Sequence, residues 1–302
     1  MRILLTGPGG FLGSTLAHHW AAQGHELSLL TRPTSNLYRI EDLPVTVLRL
    51  RASGPAEVSA AVRDAAPDAI VHTACAYGRN GETPLDVLDA NVRFGVSLLQ
   101  AVMASPATQG GPTTFLNTGT VLAPDVSLYA LSKTQFSAWG AALAAQATGQ
   151  VRFIDIRLQQ MYGPGDDRSK FTTHVIEACR QDEARLALTA GEQRRDFIHI
   201  DDVVRAYDCI LERSVDFAAS DAIEVGSGEA VTVRSFVEMA KQLAGANTTL
   251  DFGAVPYRTN EAMLCVADTT RLRGLGWNPK MSLRDGLRNI LGATSGAPAV
   301  PR

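Results

Sequence analysis

Met1-Arg-Ile-Leu-Leu-Thr6-Gly7-Pro-Gly-Gly10-Phe-Leu-Gly13 opens the chain, and its reading decides the fold. Ile3–Thr6 is a short apolar run that reads as a strand, and Phe11–Gln23 reads as the helix after it. Gly7, Gly10 and Gly13 lie at the junction. In a strand-turn-helix unit one glycine allows the tight turn, another lets backbone approach a pyrophosphate, and a third packs helix on strand. The helix N-terminus then receives phosphate. A glycine-rich turn with no ligand has the same local sequence, so the reading depends on the rest of the chain.

Beyond Gln23 strands and helices alternate. Glu26–Thr31 and Val45–Leu50 read as strands, Ala56–Ala65 as a helix, Ala69–His72 as a strand and Pro84–Ala104 as a long helix. Thr113–Asn117 is a fifth strand, Tyr129–Thr148 a helix and Val151–Arg157 a sixth strand. Continuous apolar strands alternating with helices predict a parallel sheet covered on both faces. Right-handed crossovers make it a doubly wound α/β fold of the Rossmann type. After Gly163-Pro164 the pattern changes to shorter apolar segments mixed with helices: Phe171–Arg180, Leu186–Thr189, Phe197–Ile200, Asp202–Leu211, Ala222–Val225 and Val233–Leu243. The expected organisation is a dinucleotide-binding domain over 1–160 and an interleaved, smaller α/β substrate-binding lobe over 161–291. A segment at about 197–213 is expected to return to the first domain, and 292–302 to be a loose tail.

Composition narrows the class. The 302 residues are 45% hydrophobic, enough for a large core, and the net charge of -3 carries no basic block that would suit nucleic acid. Cys75, Cys179, Cys209 and Cys265 are far apart and beside apolar residues, which predicts buried reduced thiols and a cytoplasmic setting. Met1–Thr6 runs directly into a strand, leaving no expected signal peptide, and no apolar run is read as a membrane span. His18 and His19 have no metal partner at a useful spacing, so no metal site is expected.

The end of the second strand bears on the cofactor. An NAD enzyme usually places an acid there for the ribose hydroxyls. Here the stretch is Leu29-Leu-Thr31-Arg32-Pro-Thr-Ser35, with no carboxylate. Arg32 can pair with a 2′-phosphate, helped by Thr31, Thr34 and Ser35, which favours NADP(H) and leaves NAD possible. A solvated Arg32 stacking on adenine is the competing reading.

Tyr129-Ala-Leu-Ser-Lys133 carries the chemistry, with Thr118 eleven residues before the tyrosine. Residues four apart share one face of a helix, where an ammonium favours the phenolate and pulls the phenol below roughly 10. Such a phenol trades a proton with an alcohol oxygen while a nicotinamide trades a hydride at the same carbon.

Together these residues resemble the extended short-chain dehydrogenase/reductase family of nucleotide-sugar epimerases, dehydratases and reductases. The resemblance runs from Thr6-Gly-Pro-Gly-Gly-Phe-Leu-Gly13, with Phe11 and Leu12 beside the cofactor, through Pro67-Asp-Ala-Ile-Val-His-Thr73-Ala74 and Asn91-Val. It continues through Met161-Tyr-Gly-Pro164, Arg195-Asp-Phe-Ile-His-Ile-Asp-Asp202 and Leu275-Gly-Trp277. It implies that Thr118 polarises the carbonyl or alcohol oxygen and Tyr129 is the acid/base. Lys133 would then hold the nicotinamide ribose and lower the tyrosine pKa, and Thr73 and Ala74 would line the cofactor. Gln160 matches a sugar-contacting amide, and Arg195 and Arg258 match arginines that grip a nucleotide diphosphate. A structural ion pair of Arg195 with Asp196 or Asp201, and a solvated loop at Arg258, are the alternatives. The family also dimerises through the helices at 84–104 and 129–148, so a homodimer is expected.

Departures refine the reading. Only ten residues separate Thr118 from Tyr129, the usual acidic insert is missing, and Leu122 replaces a large aromatic. Arg51 and Ala52 stand where an acid and a leucine would cradle adenine. Sugar dehydratases follow the threonine with Asp-Glu; here Gly119 and Thr120 supply no acid or base. The connection from Thr118 to Lys133, with Met161–Phe171 and Gly191–Asp196, looks like the CDP-abequose and CDP-paratose synthase group. That resemblance implies an NADPH-dependent reductase of the 4-keto group of a CDP-, dTDP- or GDP-linked deoxyhexose. The alternatives are a C4-epimerase with tightly held NAD, a reductase of a non-sugar ketone, and a non-catalytic NADP-binding regulator.

Overall fold

The computed structural model describes residues 1–50, 54–79, 81–105, 111–147 and 149–292. They divide into two compact units, one of Met1–Leu158 with Tyr207–Ile223, the other of Gln159–Ala206 with the chain from Glu224 onward. In the first unit β1 (Arg2–Thr6), α1 (Phe11–Ala22), β2 (Glu26–Thr31), β3 (Thr46–Arg49), α2 (Pro55–Ala65) and β4 (Ala69–His72) succeed one another. Then come α3 (Pro84–Leu88), a π-helical turn (Asp89–Arg93), α4 (Phe94–Ala104), β5 (Thr113–Thr118), α5 (Leu128–Gln146) and β6 (Val151–Leu158). The sheet has seven strands, with Ser220–Val225 at one edge followed by β6, β5, β4, β1, β2 and β3. Pairing from β6 through β3 is parallel throughout. This is a Rossmann-type doubly wound α/β fold.

Burial follows the strand's place in the sheet. Central β4 is buried at all four residues, whereas edge strand β3 is mostly exposed. Leu4, Ile70, Phe115 and Phe153 of the sheet pack with Val58, Val62, Leu98, Leu99 and Phe136 of the helices. Each such buried side chain contributes about 1.5–3 kcal/mol. Phe115, Phe136 and Phe153 form an aromatic cluster with ring centroids 5.6–6.1 Å apart. Its closeness explains two glycines inside helices: a Cβ on Gly95 or Gly140 would meet the Phe136 or Phe153 ring at 2.3 or 2.2 Å.

Several expectations change here. The Pro84–Ala104 segment is the one stretch among the described residues long and apolar enough in length and composition to cross a membrane, and half of its apolar window is buried inside the fold. The four cysteines are free as expected, but only Cys179 is buried and the other three are partly exposed. Arg51, Ala52, Thr148 and 293–302 lie outside the described residues.

The second unit contains β7 (Gln160–Tyr162), α6 (Phe171–Arg180), β8 (Arg185–Leu188), β9 (Arg194–His199) and α7 (Ile200–Glu212), whose last turns belong to the first unit. After β10 (Ser220–Val225) it continues with β11 (Ala230–Thr232), α8 (Val233–Ala244), β12 (Thr249–Phe252), β13 (Leu264–Cys265), α9 (Thr270–Gly274) and α10 (Leu283–Gly292). Strands β11, β9 and β13 form a sheet to which β7 adds on β9, and β12 pairs with β8. Val175, Ile176, Phe197, Phe236, Val237 and Leu287 form its core. The returning segment is Tyr207–Ile223 rather than 197–213, because Phe197–His199 are spent in β9, paired with β7.

The Arg195–Asp202 stretch staples this unit. Buried Asp196 accepts from the backbone N–H groups of Ser227 and Gly228 at 2.7 and 2.9 Å and of Ala267 at 3.2 Å. Asp202 accepts from the N–H groups of Lys280 and Met281, and the Trp277 indole donates to its carbonyl. Satisfying a buried carboxylate this way avoids the large cost of an unpaired charge.

Candidate active site

Strand order 3-2-1-4-5-6 reverses direction between β1 and β4, and in such sheets ligands bind at the carboxyl ends of the strands at that switch point. The glycine loop lies there. Gly7 has φ +69°, a conformation that favours glycine, and a Cβ on it would meet the Ala74 nitrogen at 2.7 Å. A Cβ on Gly13 would meet the Gly7 carbonyl oxygen at 2.2 Å, so α1 approaches the loop closely. Gly10 caps α1 without a side-chain hydrogen bond, leaving the first-turn N–H groups to a ligand, with Phe11 and Leu12 in that turn. Thr73 donates to the Thr6 carbonyl at 2.7 Å, tying the β4 loop to β1.

Gly9 was not singled out from the sequence, yet a Cβ on it would meet the Asn36 carbonyl oxygen at 2.3 Å. The loop after β2 therefore packs on the glycine turn. In that loop Arg32 is exposed, and its backbone N–H donates to Ser35 Oγ at 3.1 Å. Thr31 is buried and its hydroxyl has no hydrogen-bond partner among the described residues, so it does not extend beside Arg32 as expected.

Thr118 ends β5, Tyr129 lies in the first turn of α5, and Lys133 is one turn further. Ser127 caps that helix, its hydroxyl accepting from the Ala130 N–H at 3.2 Å. The Thr118 hydroxyl is 2.7 Å from that of Tyr207. Tyr207 is close enough to Tyr129 to influence its ionisation, and Cys75 is close enough to influence both Tyr129 and Lys133. The three candidate catalytic residues are thus brought together around the ends of β4 and β5.

Their electrostatics differ from the sequence expectation. Burial pushes the Tyr129 phenol well above its ordinary 10.0, with Cys75 adding to the rise; Arg79 and a hydrogen bond from Tyr77 oppose it. Lys133 is fully buried, and burial lowers its pKa against the pull of Cys75 and Asp155. The predicted lowering of Tyr129 by Lys133 does not appear: desolvation sets the direction of the shift, and the charges that act on the phenol are those of Cys75, Arg79 and Tyr207. Lys133 instead adds to the burial that depresses buried His72 to about 3.

A supporting network surrounds the set. Asn91, in the π turn, accepts from the Ala76 N–H at 2.7 Å and donates to its carbonyl at 2.8 Å and to Ser132 Oγ at 2.9 Å. It fixes the Cys75–Tyr77 loop against α5, and π turns are frequent at functional sites. Buried Asp155 accepts from Asn117 Nδ2 and Ser137 Oγ at 2.7 and 2.8 Å.

The three candidate substrate residues are in the second unit. Gln160 is exposed on β7, next to β9, which carries Arg195. Arg195 is paired with Glu261 rather than with Asp196 or Asp201, and Arg258 lies in an exposed loop. Among the described residues no group of three His, Cys, Asp or Glu could hold a metal ion; His18 Nε2 is 2.8 Å from the Arg39 carbonyl and His19 pairs with Asp208.

The chain is similar to known proteins in sequence and in fold. The chain is 28% identical to a CDP-abequose synthase of Salmonella typhimurium, over 96% of this chain and 97% of that one. It is 27% identical to a dTDP-6-deoxy-L-talose 4-dehydrogenase (NAD(P)(+)) of Kitasatospora kifunensis, over 98% and 96%. The fold matches that of a Thermus thermophilus UDP-glucose 4-epimerase in complex with NAD, with TM-score 0.80 and 22% identity over 98% of this chain and all of that one. Residues 3–226 match the NAD dependent epimerase/dehydratase family, and the chain belongs to it.

Proposed function

We propose that the protein reduces the 4-keto group of a nucleotide-activated deoxyhexose, taking hydride from NADPH and a proton from Tyr129. The observation that carries this reading is the gathering of Thr118, Tyr129 and Lys133 at the ends of β4 and β5, followed by Gly119 and Thr120 where a dehydratase needs Asp-Glu. Two of the relatives that match over nearly the whole chain are named as a CDP-abequose synthase and a dTDP-6-deoxy-L-talose 4-dehydrogenase, which supports a deoxysugar nucleotide as the substrate class. The residues present suit a dinucleotide: the uncapped first turn of α1 for its pyrophosphate, Thr73 and Ala74 beside it, and Lys133 for its ribose. The cofactor supplies the hydride.

Exposed Arg32, in a stretch without carboxylates, supports NADP over NAD. Gln160, Arg195 and Arg258 are the proposed contacts for the sugar and diphosphate; the diphosphate would compete with Glu261 for Arg195. Leu85 and Leu88 of α3 and Leu128, Leu131 and Trp139 of α5 are exposed apolar side chains, which supports a homodimer through those helices. We place the enzyme in the cytoplasm.

The test is NADPH oxidation with CDP-, dTDP- and GDP-linked 4-keto-6-deoxyhexoses. Turnover of at least one supports the reading. Silence with all three overturns it, and purified protein that retains NAD through gel filtration and interconverts a C4 hydroxyl overturns it in favour of the epimerase.

A further inference from the structure

Tyr207 lies on α7, 89 residues after Thr118, and is fully buried. A buried O–H without an acceptor costs about 1–3 kcal/mol. Among the described residues the Thr118 hydroxyl is the one hydrogen-bond partner of the Tyr207 hydroxyl, at 2.7 Å. Burial holds the Tyr207 phenol well above its ordinary range, so it keeps its hydrogen. Tyr207 therefore donates and Thr118 Oγ1 accepts. A threonine hydroxyl has a single hydrogen of its own. With its oxygen engaged by Tyr207, that hydrogen turns to a different acceptor, and Thr118 is only partly buried, so one can reach it.

We propose that Tyr207 is a positioning residue that holds the Thr118 hydroxyl as a hydrogen-bond donor toward the substrate's carbonyl oxygen. This rests on the proposed catalytic roles of Thr118 and Tyr129. As hydride reaches the carbonyl carbon, the C=O electron pair moves onto oxygen, and Tyr129 supplies the proton that completes the alcohol. Thr118 and Tyr207 keep their protons throughout. Their part is a fixed, polarised donor chain aimed where negative charge develops, and donors linked in series strengthen each other.

The experiment compares Tyr207→Phe, Thr118→Ala, Thr118→Ser and the two double variants, using whichever of the three keto-sugar nucleotides is turned over. Kcat, KM, NADPH affinity and melting temperature are measured in each. Tyr207→Phe is expected to lower kcat about tenfold with KM and NADPH affinity nearly unchanged. It should have no further effect on Thr118→Ala, and its effect should return on Thr118→Ser. An equal loss in all backgrounds, or no loss, overturns the proposal while leaving the catalytic reading intact. Full turnover by Thr118→Ala overturns that reading itself. Should Tyr207→Phe not fold, 3,5-difluorotyrosine at position 207 keeps the hydroxyl and strengthens it as a donor. It must then change kcat with Thr118 present and not with Thr118→Ala, and any other pattern overturns the proposal.

Discussion

The ring of Tyr77 is stacked on that of Tyr129, with centroids 4.8 Å apart and planes 26° from parallel. This crowding belongs to the burial that raises the Tyr129 phenol above 10.0, against the Tyr77 hydrogen bond that lowers it. In reduction the protonated phenol is the active form, present below its pKa. Reductive kcat is therefore expected to stay level up to about pH 9, as for any acid well below its pKa. A log kcat plot falling tenfold per unit from near neutrality would show a phenol governed by Lys133 and refute the burial argument. Tyr129→Phe should bind NADPH normally and lose turnover by about a hundredfold or more, the usual worth of a positioned proton donor.

Arg32 projects from the end of β2 in a loop with no carboxylate among Leu29–Ser35. Arg32→Glu replaces a cation suited to a 2′-phosphate with a group suited to ribose hydroxyls. The ratio of kcat/KM for NADPH over NADH should fall about ten- to hundredfold, the worth of one charged hydrogen bond. An unchanged ratio would sink the cofactor assignment and leave the fold untouched.

How much was legible differs from residue to residue. The β1 strand, Gly7–Gly13 and α1 were readable because each is a local pattern: an apolar run, glycines at fixed spacing, then a helical period. That the sheet is parallel and doubly wound was readable from the alternation of strands and helices, whereas its strand order, with β10 at one edge, was not. By contrast β7, β11 and β13 are two or three residues long and exist only by pairing with β9, so they leave no period in the sequence. Tyr207 carries no local signal, since its partner is 89 residues away, and the Arg195–Glu261 pair spans 66. The direction of the Tyr129 shift was misread because helical spacing shows which residues share a face, while desolvation depends on everything packed around them.

The glycine turn permits a graded test. A Cβ on Gly13 would meet the Gly7 carbonyl at 2.2 Å, and one on Gly9 the Asn36 carbonyl at 2.3 Å; both obstacles are backbone. Gly10 offers the same Gly7 oxygen at 3.3 Å. Gly13→Ala and Gly9→Ala should each cost about 1–3 kcal/mol, as overpacking does, and weaken NADPH binding. Gly10→Ala should cost less than either. Urea midpoints check the order, and equal losses at all three positions would contradict the close approach of α1 and of the β2 loop to this turn.

His72 makes stability depend on pH. Its Nδ1 is 2.8 Å from Thr6 Oγ1, its ring lies among Phe94, Phe115 and Phe136, and burial depresses it from 6.5 to about 3. Between those values the unfolded chain binds a proton that the folded chain does not. Stability is therefore full above 6.5 and is lost as pH falls below it, with a slope approaching about 1.4 kcal/mol per pH unit for one such group. His199, also lowered by burial, acts with the same sign, whereas the lowered carboxyls of Asp68 and Asp182 matter only below 3.8. His72→Gln can keep a hydrogen bond to Thr6 but cannot titrate, so it should flatten the fall in unfolding free energy between pH 6.5 and 5 while leaving the share owed to His199. Denaturant titrations across that range decide it: a slope identical to that of the unaltered protein would mean that His72 takes up its proton without unfolding the chain.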